Sequence, residues 1–469
     1  MIRSKTLASL VCGSLLVATL AGLDAAPAAS PAPGARTAPP TPPKTTLPEG
    51  YARLFNGTDL TGWVNANCWP DTFAARDGMI FCNGTPTGFL RTDRMYENFV
   101  LEFDWLHEAK EGNAGLFVWA DPIPSSAQNM FPRAVEVQIM LTPDRFDKDG
   151  KLLYTGQGDV FSIWGAKMTP LRPHPAGWER TLPSERVTKG AGEWNHYKVT
   201  CDKGDITLEI NGKAVSGARN VTPRKGYICL ESEGSPIWFA NLMVRELPAA
   251  QPPLEAKDVA MDGTGLVRLF DGRTLDGWRE DPTKTGHWTV QDGVLKYDGK
   301  GDTLWTTKDY RDFELIVDWR WTKDHQGKMQ RPKIAPDGSE QKGPDGKVET
   351  VEVEERDSGI YLRGSSKSQI NIWMWPCGSG EIWGYRTDAQ MPAAVRAAAT
   401  PKANADKPVG QWNRFVIRVQ GTTVDVDLNG VRVIENASLP AMPESGPIGL
   451  QHHMSSIDFE NIYLRPLGK

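Results

Sequence analysis

Short stretches of alternating apolar and polar residues recur along the chain, which is the pattern of strands that bury one face. Residues 206–210 (ITLEI) and 424–428 (VDVDL) both place an apolar residue at every second position. Each stretch is followed by Asn-Gly, at 211–212 and 429–430, a dipeptide typical of the two-residue type I′ turn. The pattern therefore predicts two β-hairpins at equivalent places in two parts of the chain.

Helical periodicity is scarce by comparison. The best candidate for a helix is MPAAVRAAATPKA at 391–403, which we expect to lie in a loop. Many short alternating strands and few helices are typical of a β-sandwich or a jelly roll. The predicted fold class is therefore all-β.

The chain repeats its own sequence. LFNGTDLTGW at 54–63 and LFDGRTLDGW at 269–278 share six of ten positions, and 193–215 aligns with 411–433 without a gap. Paired blocks that keep their order over a domain length indicate a duplication. We therefore predict two tandem sandwich or jelly-roll domains.

The repeat also predicts the organisation of the whole chain. The spacing between paired blocks rises by 30 residues within the second copy, and the insertion at 323–355 has the Gly, Pro and charge content of a long surface loop. The predicted segments are a signal peptide at 1–26, a Pro/Ala-rich linker at 27–50, a first domain at 51–247, a linker at 248–265 and a second domain at 266–467.

The amino terminus has the features of a secretory signal. Arg3 and Lys5 precede an apolar run at 7–22, and small residues follow. The run is short for a membrane span of about 20 residues, so we expect no stable membrane insertion. The expected location is the periplasm or the extracellular space.

The composition limits the kinds of molecule that the protein is expected to bind. The formal net charge is −5, which argues against nucleic acid because such proteins usually carry a basic surface. The 17 Trp residues fit a β-protein with aromatic binding surfaces.

Five cysteines follow the predicted signal. Cys68–Cys82 and Cys201–Cys229 are plausible disulfides in an oxidising compartment, and buried free thiols are the alternative. No Cys/His spacing indicates a zinc site, so no metal and no cofactor are predicted.

Strand alternation predicts which side chains of the second copy point away from its core. In 357–363 (DSGIYLR), 368–375 (SQINIWMW) and 446–453 (GPIGLQHH), the aliphatic residues at every second position are assigned to the core. His452 follows the core parity unless its strand ends before it. The residues of the opposite face are Asp357, Tyr361, Arg363, Gln369, Asn371, Trp373, Trp375, Gln451 and His453.

This opposite face combines aromatic rings with planar hydrogen-bonding groups. Rings cover the C–H faces of a sugar, and amides and guanidinium groups bond its hydroxyls. The face therefore predicts a carbohydrate site, with a merely solvated sheet as the alternative. The first copy has Glu136 and Gln138 at two of these places, and Glu231 and Glu233 replace a Gln and a His. We expect the second copy to be the active one.

Several motifs in fixed order resemble a known family. They are the LF(N/D)G…LxGW opening, the (N/D)(A/S)G strand, the (E/Q)WN block, the Asn-Gly hairpin and the closing GPIGLQ…FxNI…PL. Both copies resemble the 3-keto-disaccharide hydrolase domain family. The resemblance implies a concanavalin-like jelly roll, export, and action on 3-keto-glycosides.

The chemistry implied by this resemblance needs a base and a stabiliser of negative charge. A ketone at C3 acidifies the hydrogen on C2, so a base can remove it, the group at C1 is expelled, and water completes a net hydrolysis. Strand alternation suggests His453 as the base with His452 or Glu354 as a substitute, and Arg363 as the partner of the enolate oxygen. The predicted substrate-binding residues are Asp357, Tyr361, Asn371, Trp373, Trp375 and Gln451, with Glu136 and Gln138 in the first copy.

Alternatives remain open at this point. His452, His453 and Asp357 together suggest a possible metal site, although adjacent strand residues point to opposite sides. A second alternative is that the two copies face each other and share one site. A non-catalytic carbohydrate-binding protein, or an envelope protein that binds a partner protein, would present the same aromatic face.

Overall fold

The computed structural model describes residues 39–125, 130–323 and 327–468. Thr41–Lys469 forms one compact unit. The predicted signal peptide and the first half of the predicted Pro/Ala-rich linker lie outside the described residues. Among the described residues, no helix is both long and apolar enough to cross a bilayer.

The first copy is built from two antiparallel sheets. Its outer sheet has the order β12-β16-β15-β14-β6-β18-β4-β3 with β1 beside β18, and its inner sheet has the order β13-β11-β8-β7-β17-β5-β2. A separate hairpin pairs β9 with β10. The strands are β1 Ala52–Arg53, β2 Trp63–Asn65, β3 Phe73–Arg76, β4 Met79–Cys82, β5 Gly88–Thr92, β6 Phe99–His107, β7 Asn113–Ala120, β8 Ala134–Met140, β9 Arg145–Phe146, β10 Leu152–Tyr154, β11 Val160–Ile163, β12 Lys167–Pro170, β13 Arg180–Thr181, β14 Asn195–Asp202, β15 Asp205–Ile210, β16 Lys213–Thr222, β17 Tyr227–Ser232 and β18 Ile237–Glu246.

The second copy repeats this architecture after a 3₁₀ turn at Ala256–Asp258. Its outer sheet has the order β21-β22-β33-β24-β29-β30-β31 with β19 beside β33, and its inner sheet has the order β20-β23-β32-β27-β28. The elements are β19 Val267–Arg268, β20 Trp278–Arg279, β21 Trp288–Gln291, β22 Val294–Tyr297, β23 Leu304–Thr306, β24 Phe313–Trp321, β25 Lys328–Pro332, β26 Thr350–Glu354, β27 Asp357–Leu362, β28 Ser365–Trp373, α1 Trp383–Arg386, α2 Ala393–Ala398, β29 Asn413–Gln420, β30 Thr423–Leu428, β31 Val431–Ser438, β32 Gly449–Leu450 and β33 Ile457–Pro466.

The hydrophobic core of each copy lies between its two sheets. The apolar residues of 206–210 and 424–428 are buried there, because alternation turns every second side chain inward. At the two Asn-Gly turns φ is positive at both residues, as a type I′ turn requires. The predicted all-β fold with two tandem jelly rolls is confirmed, and α2 lies within the predicted helix.

The insertion of the second copy is ordered over much of its length. β25 and β26 pair antiparallel, with Lys328 opposite Glu354 and Pro332 opposite Thr350, and form a sheet of their own. The expectation of a plain surface loop is corrected, because alternating residues at 350–354 (TVEVE) allow strand pairing.

The five cysteines among the described residues are free thiols, so the suggested disulfides are corrected. Cys201 lies in the core between the sheets, whereas Cys229 belongs to an apolar cluster on the other face of the inner sheet. Cys68 and Cys82 are both buried in the core, where the Cys82 sulfur accepts a 3.4 Å hydrogen bond from the Gly84 N–H.

A small apolar contact joins the two copies. Ile123 of the first copy packs with Ile316 and Tyr463, which lie on the outer sheet of the second copy. Beside them, Arg414 Nη1 donates a hydrogen bond of 2.6 Å to the Pro124 carbonyl oxygen. These contacts use the outer sheet of the second copy and leave the exposed face of its inner sheet clear.

Candidate functional site

The register of the inner sheet brings the predicted side chains of the second copy together. On β27, Tyr361 lies opposite Gln369 of β28, and Ile360 lies opposite Leu450 of β32. Ile360 and Leu450 belong to the core. Tyr361, Gln369 and Gln451 therefore share the exposed face, as alternation predicts.

Hydrogen bonds and ring contacts order this face. Gln369 Nε2 donates to Gln451 Oε1 at 2.5 Å. Gly359 makes room for the Gln369 side chain, since a Cβ there would lie 2.4 Å from Gln369 Nε2. The Tyr361 ring stacks on Trp305 with 5.5 Å between centroids. The result is an ordered array of amides, hydroxyl and aromatic rings.

An acid–base pair lies next to this array. His453 Nε2 and Asp357 Oδ2 are 3.9 Å apart. Burial raises the pKa of Asp357 to about 7, and it lowers the pKa of His453. Near neutral pH, Asp357 is thus partly protonated while His453 is largely a neutral imidazole. Such a pair can accept one proton and donate another.

The insertion contributes two charged residues that the sequence analysis overlooked. Arg331 of β25 lies 3.8 Å from the Glu355 carboxylate, and its guanidinium lies 4.8 Å from the centre of the Trp375 ring. Its positive charge acts to lower the pKa of both Asp357 and His453. Arg331 therefore supplies a cation to the acid–base pair.

Arg363 does not join this group, and its predicted place on the exposed face is corrected. β27 ends at Leu362, and Arg363 has a φ of 52°, which breaks the strand alternation. Its buried guanidinium donates to the carbonyl oxygens of Gly421 and Pro443 and to Asp312 Oδ1, at 2.7 to 2.8 Å. It holds turns together away from the acid–base pair.

The two predicted stacking residues are largely covered. Trp373 is buried, its indole N–H donates to the Gly378 carbonyl oxygen, and its ring stacks on Trp375 at 3.9 Å. Asn371 lies on the predicted face but is buried against Glu381. Trp305 was missed, although its place between Leu304 and Thr306 in a short strand gave it the exposed parity.

His452 lies just beyond β32 and is exposed, because the strand ends before it. Its Nδ1 is 2.9 Å from Thr303 Oγ1 and 3.2 Å from Asp302 Oδ1. Within the part of the chain that the structure describes, no three His, Cys, Asp or Glu side chains are arranged to hold a metal ion.

The first copy has different chemistry at the equivalent positions. On β8, Glu136 lies opposite Phe117 and Gln138 lies opposite Gly115. In the second copy, Gln369 lies opposite Tyr361 and Asn371 lies opposite Gly359. Glu136 and Gln138 therefore correspond to Gln369 and Asn371. Glu136 and Glu231 are buried, and burial raises the pKa of both carboxyl groups.

An apolar cluster fills the neighbouring part of the same face. Phe89, Phe117 and Cys229 are buried in it, with Phe131 packed against them. The first copy therefore lacks the open acid–base pair of the second.

Comparison with known proteins identifies the family. Residues 50–245 and 265–465 match the model of the 3-keto-alpha-glucoside-1,2-lyase-like domain. The chain belongs to this family. Membership in the 3-keto-alpha-glucoside-1,2-lyase-like family supports a glycosidase-type enzyme.

The curated relative that the chain matches is distant. A 3-keto-disaccharide hydrolase of Bacteroides thetaiotaomicron is 30% identical over 94 residues, which are 17% of this chain and 30% of that protein. The chain thus spans less than a third of the curated relative that it matches.

The solved structures that resemble this chain share little sequence with it. A "putative glycosyl hydrolase" from Parabacteroides distasonis is 21% identical, with 43% of this chain and 95% of that chain covered and a TM-score of 0.33. A carbohydrate-binding module from Bacillus subtilis is 13% identical, with 39% and 96% covered and a TM-score of 0.25.

Proposed function

We propose that the exposed face of the second inner sheet is the active site of an enzyme that cleaves 3-keto-glycosides. The observation that carries the proposal is the Asp357–His453 pair, whose pKa values are shifted in opposite directions beside the cation of Arg331. Perturbed acid and base groups that adjoin ordered sugar-type binding groups are typical of active sites.

In the proposed reaction, His453 accepts the proton from C2 of the 3-keto ring. The electron pair of that C–H bond forms the enolate, whose negative oxygen on C3 is held by Arg331. When the ketone re-forms, a C1–C2 double bond forms and the C1–O bond breaks. Asp357 gives its proton to the departing oxygen. Water then adds across the double bond, so the overall change is hydrolysis.

The proposal assigns catalysis to the second copy. Only that copy carries the insertion with Arg331, and only that copy places an acid and an imidazole at these two positions. In the first copy, Asn113 and Glu233 occupy the places of Asp357 and His453. We infer that the first copy has a supporting role in this reaction.

The first test is release of methanol from methyl 3-keto-α-glucoside, whose departing oxygen must be protonated. We expect Asp357→Asn and His453→Ala each to lower kcat/KM by about 100-fold or more, the usual contribution of a general acid or base. Glu233→Gln, the matched variant in the first copy, should retain activity. Equal losses in all three variants would contradict the assignment to the second copy.

The pH profile gives a second prediction. Activity needs neutral His453, which is lost as pH falls below its lowered pKa, and protonated Asp357, which is lost as pH rises through about 7. We therefore expect kcat/KM to peak slightly below neutral pH and to fall above pH 7. A flat profile across pH 7 to 9 would contradict the role of Asp357 as the acid.

A carbohydrate-binding role without catalysis is the second candidate, favoured by the stacked Trp305 and Tyr361 rings. Binding of the unoxidised glucoside, with no turnover of any 3-keto-glycoside, would favour it. We further propose export, on the basis of the apolar run at 7–22, and mass spectrometry of the mature amino terminus tests this.

A further inference from the structure

A polar cluster on the outer sheet of the second copy holds a proline-containing segment of the first copy. Asp318 of β24 is buried, and it accepts hydrogen bonds of 2.6 and 2.7 Å from Arg414 of β29 and of 2.9 Å from Asn461 of β33. Arg414 also donates to the Pro124 carbonyl oxygen at 2.6 Å, and the neighbouring Ile123 packs on the same sheet. The cluster thus binds a short segment of the other copy at a proline carbonyl.

The first copy carries the same cluster on its own outer sheet. The repeat aligns Asp104 of β6 with Asp318, and it aligns Asn241 of β18 with Asn461. Asp104 is buried, accepts a hydrogen bond of 2.5 Å from Asn241 Nδ2, and lies 2.9 Å from Nδ1 of His196. Both asparagines have a positive φ, of 52° and 48°, at a bulge of their strand. The fold therefore builds this cluster twice.

In the first copy, the cluster is occupied by the residues that precede β1. Residues 41–48 (TPPKTTLP), the strap, form neither helix nor strand. Asn241 Nδ2 donates to the Pro43 carbonyl oxygen at 2.9 Å. Just beyond the strap, the Tyr51 hydroxyl donates to Glu102 Oε1 at 2.6 Å. A proline carbonyl is therefore bound at the same cluster in both copies, although the two segments come from unrelated parts of the chain.

The remainder of each site matches its own segment. In the second copy, Ile316 helps to bury Ile123. The repeat places Glu102 where the second copy has Ile316, and this carboxylate instead binds the Tyr51 hydroxyl. The centre of the Tyr51 ring also lies 5.3 Å from the Arg245 guanidinium. The first site is thus polar and suits the largely exposed strap, whereas the second is apolar and buries a loop of the neighbouring copy.

We propose that the outer sheet of the first copy is a binding site for a proline-containing segment, and that its occupant is the strap of the same chain, bound reversibly. Proline suits such a site because it has no N–H that needs a partner, and because its restricted φ reduces the entropy lost on binding. Asn241 supplies the donor, and Asp104 holds its amide in place. The strap lies on the outer-sheet side of the first sandwich, so the inference does not depend on the proposed reaction.

The test attaches a nitroxide spin label to Lys44→Cys in the full chain and measures its mobility by electron paramagnetic resonance. Lys44 is exposed, so the label does not disturb the packing. Of the five native cysteines among the described residues, only Cys377 is partly accessible, and labelling the chain without Lys44→Cys gives its background signal. We expect a slowly moving component from the bound strap.

Asn241→Gly removes the donor and keeps the positive φ, which glycine readily adopts. It should raise the ratio of free to bound strap about fivefold, as expected for the loss of one hydrogen bond. Asn461→Gly is the matched variant in the second copy, and it should leave the label unchanged. Equal mobility with and without Asn241→Gly, or an equal rise in both variants, would overturn the proposal.

Two further variants test the site if Asn241→Gly does not fold. Tyr51→Phe removes only the hydroxyl that binds Glu102, and it should also free the strap. Pro42→Gly with Pro43→Gly keeps the backbone carbonyls but makes the free segment more flexible, so the ratio of free to bound strap should rise about threefold or more. A rise in either variant supports the proposal, and an unchanged label in both overturns it.

Discussion

Two glutamates of the first copy stand where the second copy has two glutamines. Glu136 corresponds to Gln369, and Glu231 corresponds to Gln451. The two amides share a 2.5 Å hydrogen bond, and two carboxyl groups can form an equivalent bond only when one of them holds a proton. Both carboxyl groups lie over Gly115, and among the described residues the Glu231 oxygens have no hydrogen-bond partner.

This pair predicts that the first copy weakens as pH rises. Burial raises both folded-state pKa values, so the stabilising protonated form is fully present below the unfolded pKa and is lost as pH rises through the folded pKa. We expect the double variant Glu136→Gln, Glu231→Gln to raise Tm at pH 8 by about 2–4 °C for each kcal/mol gained. The other titratable groups that face the pair are Glu233, Arg180, Asp159 and Cys82.

Calorimetry at pH 5 and pH 8 checks this prediction. The difference between the variant and the wild type should shrink at pH 5, where the wild-type pair keeps its proton. The reverse double variant in the second copy, Gln369→Glu with Gln451→Glu, should become less stable as pH rises. A gain in Tm that is the same at both pH values would contradict the shared-proton explanation.

Among the elements, the β25–β26 hairpin has the most specific consequence for the site. It pairs only with itself, yet it brings Arg331 to the acid–base pair. Arg331→Ala should lower kcat for 4-nitrophenyl 3-keto-α-glucoside by about 100-fold, as expected for loss of a charge partner of the enolate oxygen. Lys328→Ala removes an exposed cation from the same strand and should have little effect. Equal losses in both variants would indicate a general effect of the hairpin.

Regular strands explain what the sequence could predict at this scale. Alternation correctly placed Tyr361 and Gln451 on the exposed face because β27 and β32 keep a period of two in register with the core. Alternation failed at Arg363, because a positive φ there ends the strand. It carries no information on Arg331, because the strand of Arg331 joins neither sheet of the sandwich. Pairing between distant segments, rather than local pattern, decides those two positions.

At the scale of the molecule, the two copies are joined by one apolar cluster and by several polar contacts, such as the bond from the Arg268 guanidinium to the Cys68 carbonyl oxygen. Ile123 is buried against Ile316 and Tyr463, and few other apolar groups share that cluster. The duplication was visible in the sequence, but the contact between the copies was not. The residues at 121–124, which make that contact, have no counterpart in the second copy, because a short turn at Gly364 joins β27 directly to β28.

The contact predicts cooperative unfolding of the two copies. Ile123→Asp places a charge in the buried cluster and should cost about 2–4 kcal/mol. We expect the single calorimetric transition of the wild type to separate into two. Ile123→Val, which keeps an apolar side chain, should retain one transition. An unchanged profile for Ile123→Asp would show that other contacts couple the copies.

The self-paired hairpin has a consequence for how such proteins diversify. Since its two strands pair with each other and with neither sheet of the sandwich, its length and charge can vary from one relative to another while the sandwich stays intact. Grafting it between β6 and β7 of the amino-terminal repeat would add a hairpin that carries an arginine at the place where the second copy has its own. Relatives that differ in this one arm are thus expected to share an architecture and to differ in what they recognise.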